Sequence, residues 1–347
     1  MAAPEKILIL RLSSIGDLVL VSPLLRNLQR RFPQAVLDFA VKEEFAELVR
    51  YHPAVRTVHL VRKQDGWRGL WQLGNGLRRQ NYDLILDLHR NFRTALLGRL
   101  SAAPQRLGYR KHRVRRWLYV RFKWKTLAEI PPIVQRYVQA AAPLGVPDDG
   151  AGTEIFWTPQ HEEEATAALQ AAGGKPEQSL IGLAPGAGYF TKKWPVEYFT
   201  ELAAAITQKE REAVVVILGG AQDRELAENL CRKNRGSFLD LTGRCSLLAS
   251  AAIVKRCRLL VANDSGLMHI AEAVRTPLVA LFGSTTKPLG FFPQLSSSRV
   301  LENLNLDCRP CSHLGHEACP LGHFRCMREM MPQQVYEELG KLKLDSR

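Results

Sequence analysis

Short runs of mainly apolar residues alternate along the chain with longer segments in which apolar residues recur at helical spacing. The short runs predict strands that are buried on both faces, as in parallel sheets. They cover residues 6–12, 36–41, 57–61, 83–88, 179–184, 213–220, 258–264 and 277–283. Helices are expected between them; in the first, Leu18, Val21, Leu25 and Leu28 share one face. The alternation predicts an α/β fold with helices on both faces of each sheet.

The alternation is interrupted by a segment rich in Pro, Gly and Asp after residue 143, which is typical of a connection between domains. We therefore expect one Rossmann-like domain over residues 1–157, a second over 158–331, and an amphipathic helix within 332–347. No apolar run reaches the length of about 18 residues that a membrane span needs. The first apolar run is too short for a secretory signal and ends beside Arg11, so we expect a cytoplasmic protein.

The charge is distributed unevenly: the net charge is +14, and residues 1–157 hold 26 Lys and Arg against 13 Asp and Glu, whereas residues 158–347 hold 22 against 21. This asymmetry indicates an anionic partner that meets the first half. Residues 106–125 contain nine Lys and Arg, no acid and five aromatic residues. Three interpretations are open for this basic segment: a solvated face, a membrane interface, or a surface on which nucleic acid stacks.

Three loops at the ends of predicted strands carry candidate chemistry. The loop at residues 13–17 places Asp17 at the start of a helix, either as a carboxylate that favours the helix terminus or as a general base. It lacks the GxGxxG pattern, which argues against a dehydrogenase. The loop at residues 185–195 combines glycines with Thr191 and Lys192, as a phosphate-binding loop does, although an ordinary turn between strand and helix fits as well.

The third loop, at residues 263–269, again joins a strand to a helix. Ser265 and Gly266 would offer backbone donors to a pyrophosphate. Asp264 is either a helix cap or an acceptor for sugar hydroxyls, and an isolated histidine such as His269 is more often a packing residue.

A cysteine cluster lies near the end of the chain. Its spacing is CxxC followed by two more distant cysteines, which fits either a structural zinc site or free or paired thiols. The four residues are Cys308, Cys311, Cys319 and Cys326.

Taken together, the runs KILILRLSSIGDLVLVSPLLRNLQRRFP, PGAGYFTKKWP, LTGRCSLLASAAIVKRCRLLVANDSGLMHIAEA and PLVALFGST resemble glycosyltransferase family 9, the lipopolysaccharide heptosyltransferases. The resemblance runs from about residue 6 to the end. It implies the GT-B architecture, in which two Rossmann-like domains have parallel sheets facing across a cleft and the last helix returns to the first domain. It further implies an inverting enzyme that needs no metal ion or other cofactor for catalysis.

The resemblance also implies substrates. The donor would be ADP-L-glycero-D-manno-heptose, and the acceptor the Kdo and heptose inner core of lipopolysaccharide at the cytoplasmic face of the inner membrane. The alternatives are a family 9 enzyme with another nucleotide sugar or acceptor and, in a different class, a basic nucleic-acid-binding protein.

Site residues follow from the same resemblance, position by position. Asp17 matches the general base. The donor would be bound by Gly186, Ala187, Gly188, Thr191, Lys192, Asp264, Ser265, Gly266, Leu267 and His269, with either Asp223 or Glu225 on the ribose. The acceptor and membrane would meet Arg110, Lys111, Arg113, Arg115 and Arg116. The chain departs from relatives that place two threonines before the lysine, since it has Ala187-Gly188 and the single Thr191.

Overall fold

The computed structural model describes residues 3–124, 130–175, 177–210, 212–233 and 238–345. The chain forms two compact units. The first comprises Met1–Lys111 and Pro131–Phe156, and the second His112–Ile130 and Trp157–Arg347. The chain thus passes into the second unit beside the boundary expected at residue 157. The sequence pattern did not predict that residues 112–130 belong to the second unit.

The first unit is built on a sheet of five parallel strands in the order β3-β2-β1-β4-β5. The strands are β1 (Lys6–Leu10), β2 (Val36–Lys42), β3 (Val55–Val61), β4 (Leu84–Asp87) and β5 (Gln105–Gly108). On one face Leu8, Leu10 and Ile85 pack against Leu70 and Leu97 from two neighbouring helices. The residues of β1 that point to the other face, Ile7 and Ile9, are also fully buried. Both faces are therefore covered, as the apolar runs predicted.

The second unit is built on six parallel strands in the order β11-β10-β9-β6-β7-β8. The strands are β6 (Ser179–Ala184), β7 (Ala213–Ile217), β8 (Phe238–Asp240), β9 (Cys257–Asn263), β10 (Leu278–Phe282) and β11 (Ser298–Glu302). In both sheets the first strand of the unit lies in the interior and the chain winds outward in both directions, which is the doubly wound Rossmann order. The predicted α/β class with two Rossmann-like parallel sheets is confirmed.

The α-helices alternate with the strands along the chain. They are α1 (Ile15–Arg31), α2 (Glu47–Arg50), α3 (Gly66–Arg78), α4 (Phe92–Leu100), α5 (Arg113–Phe122), α6 (Ile133–Gln139), α7 (Pro159–Ala171), α8 (Val196–Lys209), α9 (Arg224–Lys233), α10 (Leu247–Arg256), α11 (Gly266–Ala273), α12 (Arg325–Arg328) and α13 (Pro332–Asp345). None of the helices in the described ranges is long and apolar enough to cross a membrane.

The last helix, α13, belongs to the second unit. Its apolar residues Val335, Leu339 and Leu342 are buried in the same core as Phe199 of α8 and Leu281 of β10. Packing of this helix on the first domain, which the resemblance implied, stays a prediction. Residues 346 and 347, at the end of the expected helix, lie outside the described residues.

Candidate active site

The candidate loops lie at the two positions where a doubly wound sheet binds ligands. In each sheet the winding direction reverses between two interior strands, and the crevice at their carboxyl ends is the usual binding position. In the first unit these strands are β1 and β4, and the loop carrying Asp17 follows β1. In the second they are β6 and β9, which lead into the loops carrying Lys192 and Asp264. Each unit therefore holds its predicted loops at its own switch point.

Asp17 is held by contacts on both carboxylate oxygens. Its Oδ2 is 2.5 Å from an Arg11 guanidinium nitrogen and accepts hydrogen bonds from the Ser14 backbone N–H (3.3 Å) and hydroxyl (3.1 Å). Its Oδ1 accepts a 2.9 Å bond from the Tyr137 hydroxyl of α6. Arg11 also donates to the Leu88 carbonyl at 2.7 Å, which joins the ends of β1 and β4. Asp17 therefore stabilises the start of α1, as one of the two interpretations held, and also lies at the switch point.

The surrounding charges keep Asp17 ionised. Burial favours the neutral acid, but the Arg11 guanidinium and the bonds from Tyr137 and Ser14 outweigh it and hold the pKa of Asp17 below its ordinary value. Burial and the adjacent Asp17 carboxylate raise the pKa of Tyr137 well above its usual range, so its phenol stays protonated. Burial and the positive charge of Arg11 lower the pKa of His89 to about 4, so this imidazole is neutral at physiological pH.

In the second unit a buried ion pair joins the other two candidate loops. The Lys192 ammonium lies 2.7 Å from Oδ2 of Asp264, and the Thr285 hydroxyl donates to the same oxygen at 2.7 Å. Asn263 also links the two loops. Its side-chain amide donates to the Pro185 carbonyl at 2.7 Å and accepts a hydrogen bond from the Trp194 backbone N–H. The N-cap of α11 is Ser265, so Asp264 pairs with a lysine and is not the cap.

The amino terminus of α11 carries unused donor capacity. No side chain caps the helix, and in the described part of the chain the buried Ser265 hydroxyl has no hydrogen-bond partner. A helix N-terminus with an unpaired buried hydroxyl and a lysine nearby is suited to an anionic group such as a phosphate. Gly266 and Leu267, in the first turn, are half-buried beside it.

Asp223 explains why two of the loop positions are glycines. Its carboxylate accepts from the Gly220 N–H at 3.0 Å and occupies the space that a side chain at position 186 or 219 would need. A Cβ at Gly186 would lie 2.5 Å from an Asp223 oxygen, closer than any real contact. Glu225, the other candidate for the ribose, is exposed on α9. The structure thus gives Asp223 a role in shaping the loop, and the choice between the two for the ribose stays a prediction.

The other predicted donor residues differ in their surroundings. The Thr191 hydroxyl donates to the His316 carbonyl at 3.2 Å and accepts from the His316 N–H at 2.8 Å. These bonds join the loop to residues 308–326, which hold the cysteine cluster and are called the cysteine-rich segment below. Ala187 is half-buried and Gly188 is exposed in the loop. His269 is buried one turn into α11, with its ring 6.3 Å from that of Phe291. A contact of Thr191 or His269 with the donor stays a prediction.

The structure divides the basic segment between the two units. Arg110 and Lys111 belong to the first, where the Lys111 ammonium donates to the Arg90 carbonyl at 3.2 Å. Arg113 and Arg115 are exposed on α5 in the second unit, and the guanidinium of Arg116 donates to a backbone carbonyl of the cysteine-rich segment at 3.4 Å. The final residue of the predicted segment, 125, lies outside the described residues.

The four clustered cysteines were predicted to form a structural zinc site or to stay as free or paired thiols. All four thiols are free, and no set of three or more His, Cys, Asp or Glu side chains in the described ranges is arranged to hold a metal ion. Cys308 is 4.0 Å from the His323 ring, whereas Cys326 is buried in the core of the second unit. Burial raises the pKa of Cys326 to about 11, and the neighbouring thiols add to this increase. A structural zinc site at these cysteines stays a prediction.

The cysteine-rich segment supports the donor loops through Arg309. This buried guanidinium donates to the backbone carbonyls of Phe282 (3.1 Å) and Thr285 (2.9 Å), and pairs with Glu302 at 2.8 Å. It also donates to the carbonyls of Gly283 and Asn303. Since Thr285 in turn bonds Asp264, Arg309 fixes the strand end on which the Lys192 pair rests.

We expect Arg309→Met to lower the free energy of unfolding by about 3 to 5 kcal/mol, because it leaves the half-buried Glu302 carboxylate and several buried carbonyls without their donor. Chemical unfolding measures the change. Arg325→Met is the matched control, since Arg325 and Glu329 form an exposed pair whose loss should leave the unfolding midpoint unchanged. Equal effects of the two substitutions would contradict the role given to Arg309.

Arg11, Tyr137, Thr285 and Arg309 escaped the sequence-based prediction. Arg11 gave one signal, a charged residue at the end of an otherwise apolar strand, where it is 8% exposed. Tyr137 lies in an ordinary helical pattern 120 residues from its partner, so only the fold reveals the contact. Thr285 and Arg309 likewise act through neighbours that are distant in sequence.

A family model and an individual relative both match this chain over most of its length, and they name the same class of protein. The family model described as glycosyltransferase family 9 (heptosyltransferase) matches residues 70–321. Lipopolysaccharide heptosyltransferase 2 of Escherichia coli K12 is 28% identical over 353 residues, which cover 98% of this chain and 99% of that protein.

Two solved structures share the fold over nearly the whole chain. The structure of E. coli ADP-heptose LPS heptosyltransferase II is similar with a TM-score of 0.76 and 26% identity, covering 98% of this chain and 99% of that one. A glycosyl transferase family 9 protein from Veillonella parvula gives a TM-score of 0.83 at 22% identity, with 98% of each chain covered. The GT-B class predicted from the sequence is confirmed by these likenesses.

Proposed function

Because the chain belongs to glycosyltransferase family 9, we propose that it transfers L-glycero-D-manno-heptose from ADP-heptose to the Kdo and heptose inner core of lipopolysaccharide, with inversion at the anomeric carbon. The names of its relatives support the sugar and the acceptor class. The observation that carries the donor half of the proposal is the Lys192–Asp264 pair beside the uncapped start of α11, at the switch point of the second sheet.

The donor would bind through its diphosphate. Lys192 supplies a positive charge, and the N–H groups at the start of α11 with the Ser265 hydroxyl supply hydrogen bonds. As the bond between the anomeric carbon and the phosphate oxygen breaks, negative charge grows on the departing ADP. Fixed donors that meet this charge lower the barrier without reorganising. Asp264 and His269 would contact the heptose, and Asp223 or Glu225 the ribose.

Asp17 would take the proton from the acceptor hydroxyl as that oxygen attacks the anomeric carbon. Its lowered pKa keeps it ionised at neutral pH, as a base must be, but also makes it a weak base. Such a carboxylate is effective when the proton leaves late, once the new bond to carbon has made the hydroxyl acidic. The bonds from Arg11 and Tyr137 hold the carboxylate in one orientation for this transfer.

The basic residues would bind the acidic acceptor and the anionic surface of the inner membrane, and the enzyme would then act at the cytoplasmic face. Arg110, Arg113 and Arg115 are exposed, as this role requires. Phosphates and sugar carboxylates attract such clusters in a salt-dependent way.

The test of the proposed function is a transfer assay in which ADP-heptose and other nucleotide sugars are offered with truncated lipopolysaccharide acceptors. We expect transfer from ADP-heptose to an inner-core acceptor. Transfer from a different donor would support another family 9 activity. No transfer, together with tight and salt-dependent binding of RNA or DNA, would support the nucleic-acid alternative.

Charge reversal on α5 tests the acceptor role. We expect Arg113→Glu/Arg115→Glu/Arg116→Glu to raise the acceptor KM by at least about tenfold, since each lost contact to an anionic surface is worth roughly 1 kcal/mol, and to leave ADP binding unchanged. Steady-state kinetics and ADP calorimetry measure the two effects. Charge reversal of three exposed cations elsewhere on the second unit is the control: Arg232→Glu/Arg328→Glu/Lys341→Glu. An unchanged acceptor KM in the α5 variant would contradict this role.

A further inference from the structure

Three large aromatic side chains of the first unit lie in water. Trp67 and Trp71 on α3 are 58% and 54% exposed, and Phe92 at the start of α4 is 73% exposed. The Trp67 and Phe92 rings meet edge to face, with centroids 5.6 Å apart. We call these three residues the aromatic surface. Exposed aromatic clusters of this kind are uncommon on soluble proteins and usually mark a binding surface.

The aromatic surface is not a misplaced part of the core. Trp67 and Trp71 are four residues apart and therefore share one face of α3, whereas Leu70 and Leu77, about 90° further round the helix axis, are buried against the sheet. α3 and α4 pack side by side at close range, since a Cβ at Gly74 would lie 2.4 Å from the Leu100 side chain. The two helices thus present their aromatic residues on a fixed support.

Positive charge surrounds the aromatic surface. Residues 62–79 and 90–100, which form these helices and their approaches, contain eight Lys and Arg and a single acid, Asp65. Among them Lys63, Arg68 and Arg93 are exposed; Arg68 directly follows Trp67, Arg93 directly follows Phe92, and Lys63 lies one helical turn's length of chain before Trp67. Tryptophan and phenylalanine flanked by lysine and arginine form the combination that binds the interfacial region of an anionic bilayer. A second copy of this chain fits less well, because two surfaces of the same positive sign repel.

The topology places the aromatic surface at the edge of the sheet where Asp17 lies. In a parallel sheet all strands end at one edge, and the loops after β1, β3 and β4 leave from it. Asp17 follows β1, Trp67 is in the first turn of the helix after β3, and Phe92 begins the helix after β4. A bilayer bound there would present a lipid-linked acceptor along the edge that carries Asp17.

We infer that the aromatic surface of α3 and α4 inserts into the headgroup region of an anionic phospholipid bilayer and presents the membrane-embedded acceptor to the first unit. This inference rests on the proposed function in one respect, namely that the acceptor is a glycolipid. The indole and phenyl rings would insert among the lipid headgroups. The neighbouring arginines and lysine would attract the anionic lipids.

The experiment is flotation with vesicles of phosphatidylcholine, with and without phosphatidylglycerol. We expect the full chain to float with the anionic vesicles, and Trp67→Ser/Trp71→Ser to bind them at least about tenfold more weakly, because each buried aromatic side chain contributes a large apolar area. The matched control is Leu304→Ser/Leu321→Ser, which removes two apolar side chains that are 80% and 64% exposed in the second unit. Flotation of Trp67→Ser/Trp71→Ser at the level of wild type would overturn the inference.

A second variant separates this surface from α5, which has its own exposed Trp117 and Phe122. If Trp117→Ser/Phe122→Ser abolishes flotation and Trp67→Ser/Trp71→Ser does not, the inference is wrong. Brominated lipids provide an independent measurement: they should quench the tryptophan fluorescence of wild type more than that of the conservative variant Trp67→Phe/Trp71→Phe. Equal quenching would again overturn it.

Transfer assays separate failure of this inference from failure of the proposed function. With a delipidated inner-core oligosaccharide as acceptor, Trp67→Ser/Trp71→Ser should match wild type, whereas with acceptor in anionic vesicles its rate should fall. Equal loss on both acceptors would show a general defect and contradict the docking role. Absence of transfer by wild type, with flotation intact, would overturn the proposed function and leave the docking surface standing.

Discussion

Asp17→Asn is expected to lower kcat by on the order of 10²–10⁴-fold, the usual contribution of a positioned general base. The asparagine keeps the size of the side chain but has no lone pair basic enough to take the proton of the acceptor hydroxyl. ADP affinity should not change, because the predicted contacts to ADP lie in the loops of the second unit. Transfer kinetics and ADP calorimetry on the same preparation measure the two quantities. Near-normal turnover would remove Asp17 from the mechanism.

The buried Arg11 requires a stability control for this variant. Without the carboxylate the guanidinium keeps one bond, to the Leu88 carbonyl, but loses its ion pair, and breaking a buried pair costs about 3–5 kcal/mol. Arg11→Met/Asp17→Asn removes both charges and should recover stability without recovering activity. Asp148→Asn, at an exposed carboxylate of the same unit, should change neither. Recovery of activity in the double variant would indicate that Asp17 acts only through the fold.

The pH dependence of kcat/KM is a second test of Asp17 as the general base. Because the pKa of Asp17 is lowered, the acidic limb of the kcat/KM profile should lie below the ordinary aspartate value of about 3.9. Ionised Asp17 likewise stabilises the fold above that value, and this contribution is lost as the pH falls through the lower pKa of the folded state. Replacing Arg11 by methionine leaves only the bonds from Tyr137 and Ser14 to oppose the effect of burial on the pKa of Asp17, so the limb should move to higher pH. An unchanged limb would indicate that another group controls it.

The sequence predicted the strands that carry the candidate sites, and it missed three strands at the edges of the two sheets. The observed β6 covers the predicted residues 179–184, and the eight predicted runs all correspond to strands. The missed ones are β5, β8 and β11. β5 begins one residue before the basic segment and alternates between half-buried and exposed residues, β8 has three residues, and β11 is an edge strand with no fully buried residue. A strand with little buried apolar surface leaves little pattern to detect.

The candidate sites were predictable in position and not in detail. Glycine, carboxylate and lysine at strand ends suffice to place loops at a switch point, because local sequence determines where strands end. The contacts that tune these groups come from elsewhere in the chain. Tyr137 reaches Asp17 from α6, and Arg309 reaches the donor loops from the cysteine-rich segment. Metal binding by the clustered cysteines stays a prediction, since a metal site depends on how thiols that are distant in sequence are brought together.

Lys192→Met is expected to lower kcat by on the order of 10²–10³-fold, as removal of one fixed charge opposite a developing anion does. The ammonium is 15% exposed and lies 2.7 Å from Asp264, so donor phosphates would share it with that carboxylate. ADP affinity should fall as well, because the charge also meets the phosphates of the bound nucleotide. Lys193→Met is the matched control, since it removes the adjacent, half-buried lysine. Equal losses in the two variants would mean that general positive charge, and not Lys192, holds the diphosphate.

The double variant Lys192→Met/Asp264→Asn separates binding from folding. In the single variant Asp264 keeps its bond from Thr285 but loses its countercharge, so part of the lost activity could reflect a displaced loop. The double variant removes both charges and should restore the unfolding midpoint while activity stays low. If it also restored transfer, the charge of Lys192 would be dispensable and the diphosphate would have to be held by the start of α11 alone. Persistent loss with restored stability, larger than the loss caused by Asp264→Asn alone, assigns the ammonium to the leaving group.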